Sequence, residues 1–135
     1  MIFPIYIHQA ESGTYSGFVP DIAGCYFAGA TIDATIQDAD AAIDAHLEFL
    51  ADEGQALPVA NTIEFHKSND SCVDGVWAYV NVDLSKYDGK SIKLNITLPQ
   101  NLIARIDQYV ATHPAYGSRS GFLAAVARNE IQKSA

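Results

Sequence analysis

Nine residues near the end of the chain, Ser91-Ile-Lys-Leu-Asn-Ile-Thr-Leu98-Pro99, constrain the fold more than any other stretch. Ile92, Leu94, Ile96 and Leu98 alternate strictly with Ser91, Lys93, Asn95 and Thr97. Side chains alternate across a strand, so the spacing predicts a strand over 91–98 with one apolar and one hydrogen-bonding face. Two helical segments follow at once. Pro99 suits the first helical position, and Leu102, Ile103, Ile106, Tyr109 and Val110 recur at helical spacing until Pro114 and Gly117 end the element. Ser118 is a good N-cap for a last helix carrying Phe122, Leu123, Val126 and Ile131. A lone two-faced strand ahead of two short helices cannot cover its own apolar side. A second copy of the chain can, by pairing strand with strand through Ile92, Leu94, Ile96 and Leu98.

Charge divides the chain near the same place. A net charge of −8 argues against a nucleic-acid partner only if the charge is evenly spread, and it is not. Residues 1–84 hold thirteen acidic side chains and one basic one, Lys67; residues 85–135 hold seven basic and three acidic ones. This step from −12 to +4 predicts two modules, the first suited to a cationic protein and the second to phosphates. An apolar fraction of 49% is enough for real cores, while the apolar runs are too short to span a membrane. The opening Met1-Ile-Phe-Pro-Ile-Tyr6 has no basic or hydrophobic region of an export signal, so a cytoplasmic location is expected. Cys25 and Cys72 lack metal-ligand spacing and read as reduced thiols, with a disulfide as the alternative.

Strands are expected over 2–9, 14–19 and 25–28, the first two joined through Glu11-Ser12-Gly13. A helix over 33–53 places Ile36, Ala39, Ile43, Leu47 and Leu50 on one face, and Gly54 suits its C-terminus. Residues 61–68 admit either a strand or a short helix. The turn signal Asp74-Gly75 precedes a strand over 76–83. Residues 1–83 thus read as an α+β domain, an antiparallel sheet with one packed helix; 84–90 read as a linker and 91–135 as the second domain.

On the polar face of the 91–98 strand, Lys93, Asn95 and Thr97 stand about 6.6 Å apart in succession. Two antiparallel copies would make a ribbon that fits a major groove, with lysine donating to guanine, asparagine gripping adenine and threonine meeting either base or a thymine methyl. An ordinary solvated strand face is the bland alternative. Ser118, Arg119 and Ser120 combine a helix start, two hydroxyls and a guanidinium, which suits a DNA phosphate; a plain N-cap is the simpler account of Ser118. Asp40, Asp44 and Glu48 repeat at i, i+4, i+8 on the long helix, with Asp33 and Asp52 nearby. Such a row opposes helix stability and reads first as a solubilising face, then as an attractor for a basic protein.

Catalysis finds little support. His8, His46, His66 and His113 are scattered over different elements, and none has metal-type spacing to another ligand. No glycine-rich phosphate loop follows a strand, so no enzyme activity, metal or cofactor is expected. Tyr15, Phe18, Tyr26 and Phe27 read as core or interface.

Several blocks carry a resemblance: Tyr15-Ser-Gly-Phe-Val-Pro-Asp21, Gly24-Cys25, Gly29-Ala-Thr31, and above all Trp77-Ala-Tyr-Val-Asn-Val-Asp-Leu-Ser-Lys-Tyr87-Asp-Gly-Lys90 running into Asn95-Ile-Thr-Leu-Pro99, with Ser118-Arg-Ser-Gly-Phe-Leu123 beyond. Nearly the whole chain resembles a HicB-type antitoxin with a ribbon-helix-helix tail. Two positions depart from that pattern: Ala23 stands before Gly24 where a proline is frequent, and Ala30 where a polar residue is. The resemblance implies a partial RNase H-like fold for residues 1–83 without the nuclease, and the first strand indeed contains no carboxylate. It also implies a HicA-type toxin as partner, a small basic mRNA-cleaving protein, with Asp40, Asp44 and Glu48 as candidate contacts. Operator DNA is the second implied partner, with repression of the chain's own genes. A homodimer follows from the ribbon, and a homotetramer joined through the N-terminal sheets is implied by the family. The alternative reading is a ligand-responsive ribbon-helix-helix repressor, in which Tyr15, Phe18, Tyr26 and Phe27 line a small-molecule pocket.

Overall fold

Pairing along β1 (Ile2–Gln9) organises the first of two units, residues 1–90, in a computed structural model that describes residues 1–134. β1 pairs antiparallel with β2 (Tyr15–Phe18) on one side and β4 (Val76–Asn81) on the other. β3 (Tyr26–Gly29) adds beyond β2, giving the order β3-β2-β1-β4. The central position of β1 accounts for its unbroken buried run from Phe3 to Ile7. Pro4 is tolerated there because β2 pairs only with Tyr6 to Gln9, so the missing N–H costs no bond on that side.

α1 (Ile32–Asp52) lies across the sheet. It begins one residue earlier than its apolar spacing predicts, because the Thr31 Oγ1 accepts the Ala34 N–H at 3.1 Å. Ala39, Ile43 and Leu47 are buried with Phe3, Ile5 and Ile7 of β1, Phe27 of β3 and Val80 of β4. The helix closes at Gly54, whose φ of +66° is left-handed, and the Gln55 N–H returns to the Leu50 carbonyl at 2.8 Å.

Residues 61–68 resolve in favour of helix, as a single turn, α2 (Ile63–His66), capped by Thr62. The segment covers the second face of the sheet. The His66 ring stacks on Trp77 with centroids 6.3 Å apart, and Trp77 meets Tyr6 edge-on at 5.2 Å. Gly75 presses against the same tyrosine: a Cβ there would lie 2.3 Å from the Tyr6 Cζ. No other residue fits that approach.

The first unit is longer than the sequence suggests. β4 ends at Asn81, and Val82 continues its pairing through the Met1 carbonyl. Leu84–Tyr87, expected within a linker, wind into a 3-10 turn instead; Leu84 is buried and Tyr87 packs beside it. Those two apolar side chains hold the turn on the core, so the break falls between Lys90 and Ser91.

In the second unit, α3 (Gln100–Thr112) follows Pro99, which stands at the cap rather than at the first helical position. A 3-10 turn (Pro114–Tyr116) and Gly117, at φ +75°, lead to α4 (Arg119–Ser134). Tyr109 anchors the corner: it stacks on His113 at 3.9 Å and meets Phe122 edge-on at 5.5 Å, while Tyr116 and Phe122 meet at 5.3 Å. The strand expected over 91–98 is not formed in the single chain: those residues belong to no helix or strand and pair with none among the described residues, because an extended segment without a neighbouring strand has no ladder to join.

Candidate nucleic-acid interface and acidic partner face

The alternation in the 91–98 segment leaves a large apolar surface in water. Ile92, Leu94 and Ile96 are 82%, 72% and 59% exposed, and Leu98, next to α3, is half-buried. Lys93, Asn95 and Thr97 are exposed as well. Burying one such aliphatic side chain is worth about 1.5–3 kcal/mol, and in the single chain that burial is not realised for Ile92, Leu94 and Ile96.

At the start of α4, Ser118 behaves as an N-cap, its Oγ accepting the Gly121 N–H at 3.1 Å. Ser120 lies exposed in the same first turn. Arg119 is engaged within its own chain: Nε donates to Asp107 Oδ1 at 3.0 Å and Nη2 to Oδ2 at 2.7 Å. This pair holds the Asp107 carboxyl below, and the guanidinium above, their ordinary pKa ranges. The three residues expected at a phosphate therefore stand together, with one already satisfied by a carboxylate twelve positions away. The partner was not legible, because nothing local to either residue marks it.

The acidic row on α1 is likewise not uniform. Asp40 and Glu48 are exposed, but Asp44 accepts the Tyr87 hydroxyl at 2.5 Å and the Lys86 ammonium at 3.1 Å. These bonds, the tyrosine's first, hold the Asp44 carboxyl below the usual carboxylate range. Burial, and then Asp44 itself, pushes the Tyr87 phenol above its ordinary value. Both donors come from the turn that sequence reasoning placed in a linker. A notch of ≈ 320 Å³ lies beside them, lined by Asp40, Asp44, Asn81, Lys86 and Tyr87 among others.

One polar knot went unforeseen. Asp21, its side chain 2% exposed, accepts from Asn61 Nδ2 at 2.6 Å, from the Asn61 N–H at 3.0 Å and from His66 Nε2 at 2.9 Å. Three bonds satisfy a carboxylate that would otherwise be costly to bury, and they pin the 61–66 segment to the loop after β2. Of the aromatic residues that a small-molecule pocket would need, Phe18, Tyr26 and Phe27 line one open hollow of ≈ 530 Å³ together with His8, Ser16 and Asp38, and Tyr15 is not among its lining. Phe18 and Tyr26 share the outer face, whereas Phe27 is in the core under α1 and Tyr15 packs against it. Among the described residues no group of three or more His, Cys, Asp or Glu side chains is placed to hold a metal ion, and no helix is long and apolar enough to cross a membrane.

Comparison with known proteins agrees with this architecture. A 14.9 kDa protein of uncharacterised function from the rep-hol intergenic region of Haemophilus phage HP1 (strain HP1c1) is 40% identical over 131 residues, spanning 97% of this chain and 98% of that protein. The crystal structure of the Burkholderia pseudomallei antitoxin HicB superimposes with a TM-score of 0.74 at 38% identity, covering 94% of this chain and 96% of that one. A chain of a HicA3 and HicB3 toxin–antitoxin complex matches with a TM-score of 0.53 at 32% identity, covering 62% of this chain and 99% of that one. The model of the HicB-like antitoxins of bacterial toxin–antitoxin systems matches residues 3–127. With an α+β sheet domain, a basic tail and a match over nearly its full length, the chain belongs to the HicB-like antitoxin family.

Proposed function

We propose that this antitoxin blocks a HicA-type mRNA-cleaving toxin with residues 1–90 and represses its own genes with residues 91–135. It acts by binding rather than by catalysis, in the cytoplasm, with no cofactor. The observation that carries the DNA-binding half is the exposed row Ile92, Leu94 and Ile96 alternating with Lys93, Asn95 and Thr97. Two chains pair along the apolar side, and the polar side becomes a shared reading surface for base edges. Ser118 and Ser120 meet the DNA backbone at the start of α4, and Arg119 joins them by exchanging Asp107 for phosphate. Further pairing through the N-terminal sheets would give a tetramer.

For the toxin-binding half, the charge step and the HicA3–HicB3 relative support a cationic protein as ligand. Asp40 and Glu48 are the carboxylates available to it, since Asp44 serves Tyr87 and Lys86. The open hollow of ≈ 530 Å³ at Phe18, Tyr26 and Phe27 is what favours the ligand-responsive alternative, but Tyr15 does not line it, and the charge step and the HicA3–HicB3 relative favour a protein ligand.

Gel shifts on the chain's own promoter region test the proposal. Asn95→Ala should lose about 1–3 kcal/mol of discrimination at one base pair, while toxin neutralisation in an RNA-cleavage assay survives. A variant that shifts DNA as the parent does, at every base substitution, removes the reading role of the ribbon.

A further inference from the structure

The two edges of the N-terminal sheet differ in whether their backbone can accept another strand. Val82 and Met1 exchange two hydrogen bonds, Val82 N–H to the Met1 carbonyl at 2.7 Å and the Met1 amino group to the Val82 carbonyl at 2.8 Å. In an antiparallel ladder such pairs recur at every second residue. With Phe3 opposite Val80 and Ile5 opposite Ala78, the groups of Val76, Ala78 and Val80 point to β1. The N–H and C=O of Trp77, Tyr79 and Asn81 therefore point outward. By the same alternation β3 turns Tyr26 and Ala28 outward at the other edge. There the Ala28 N–H is already taken, at 2.9 Å, by the Asp38 carboxylate of α1. At that edge one outward amide is occupied by the protein's own side chain. Among the described residues no hydrogen bond reaches the outward groups of β4.

The surroundings of that open edge say what it suits. Tyr79 and Val76 are more than half exposed along it, as is Ile2 opposite Asn81 on β1. The notch at its far end, between Asn81 and α1, contains the exposed Asp40. We propose that β4 receives a strand of the toxin, pairing with Trp77, Tyr79 and Asn81, while a lysine or arginine of the toxin enters the notch at Asp40. This rests on the antitoxin reading and gives the toxin a place on the sheet. A second copy of the chain is the poorer occupant. Joining two β4 edges brings two α1 acidic rows together, in a module with thirteen acidic residues and one basic one over positions 1–84.

The full chain and a HicA-type toxin encoded beside it provide the test. Tyr79→Pro removes an outward N–H and leaves the bonds to β1 intact, because Tyr79 contributes none of them. Asp40→Lys replaces the exposed carboxylate of the notch with an ammonium group and cancels its net negative charge. Each variant should weaken toxin binding by about tenfold or more, roughly the effect of one lost charged or main-chain contact. In the parent complex, amide exchange at Trp77, Tyr79 and Asn81 should slow while that at Tyr26 stays unchanged. Should Tyr79→Pro fail to fold, Asp40→Lys and the exchange measurement still decide. Unchanged exchange at those three amides, or parent-like affinity in folded variants, overturns the strand addition and leaves the antitoxin reading standing. A Tyr79→Pro variant that loses subunits in sedimentation without toxin shows a second copy at the edge and also overturns it. A parent that binds no toxin overturns the antitoxin reading itself, and the docking proposal with it.

Discussion

Arg119 grips Asp107 through two parallel hydrogen bonds, and so ties the first turn of α4 to the middle of α3. Both side chains are about half exposed, so water and salt screen the pair and exchange is cheap. A phosphate arriving at the start of α4 competes with Asp107 for one guanidinium. Asp107→Asn should therefore tighten operator binding and steepen the dependence of log K on log salt by about one. Arg119→Ala should weaken binding to every sequence alike. Gel shifts at several salt concentrations measure both; weaker binding by Asp107→Asn would show that the pair positions the helices instead.

Tyr87 contributes to the acid response of the first unit through Asp44. A carboxyl held below its unfolded pKa adds stability at neutral pH, and that contribution disappears as pH falls through the depressed value. Tyr87→Phe removes the largest cause of the depression at Asp44. At this half-exposed site the variant should lose about 0.5–1 kcal/mol at pH 7 and almost nothing in strong acid. Melting curves at pH 7 and pH 3 check this: the gap between parent and variant must narrow on acidification.

His66→Ala should destabilise the first unit by about 1–3 kcal/mol, since it strips one bond from the buried Asp21 carboxylate. Trp77, the chain's one tryptophan, stacks on that imidazole, so its fluorescence should shift to the red. Urea titrations followed at the tryptophan read both effects. Parent-like midpoints and emission would mean that the knot does not hold the 61–75 segment in place.

Leu94→Asp places a charge in the middle of the exposed apolar row. Sedimentation should show loss of the ribbon dimer, and gel shifts loss of operator binding. The melting transition of the first unit should stay within about 0.5 kcal/mol of the parent, as expected of a surface change outside it. A variant that still pairs through the ribbon contradicts the assigned interface.

What could be read in advance was what repeats along the chain. Ile36, Ala39, Ile43 and Leu47 announce α1 by spacing alone, and the alternation from Val76 announces β4. What could not be read depends on residues far apart in sequence. The turn at 63–66 is one turn long, below any periodic signal, and is anchored by Asp21 about forty positions earlier. Leu84 and Tyr87 look like linker until α1 supplies Asp44 and the core supplies cover. At the candidate sites, residue type was legible in both halves, but the prior commitments of Asp44 and Arg119 were not. A pattern names the face a side chain occupies; only the fold names its neighbour.

The bareness of Ile92, Leu94 and Ile96 in a lone molecule has a dosage consequence. Capture of a toxin by one chain rises linearly with the amount of antitoxin, whereas a grip on DNA that needs a doubled ribbon rises with its square while monomers prevail. On the proposed function, transcription would then be released before protection is lost when antitoxin runs short.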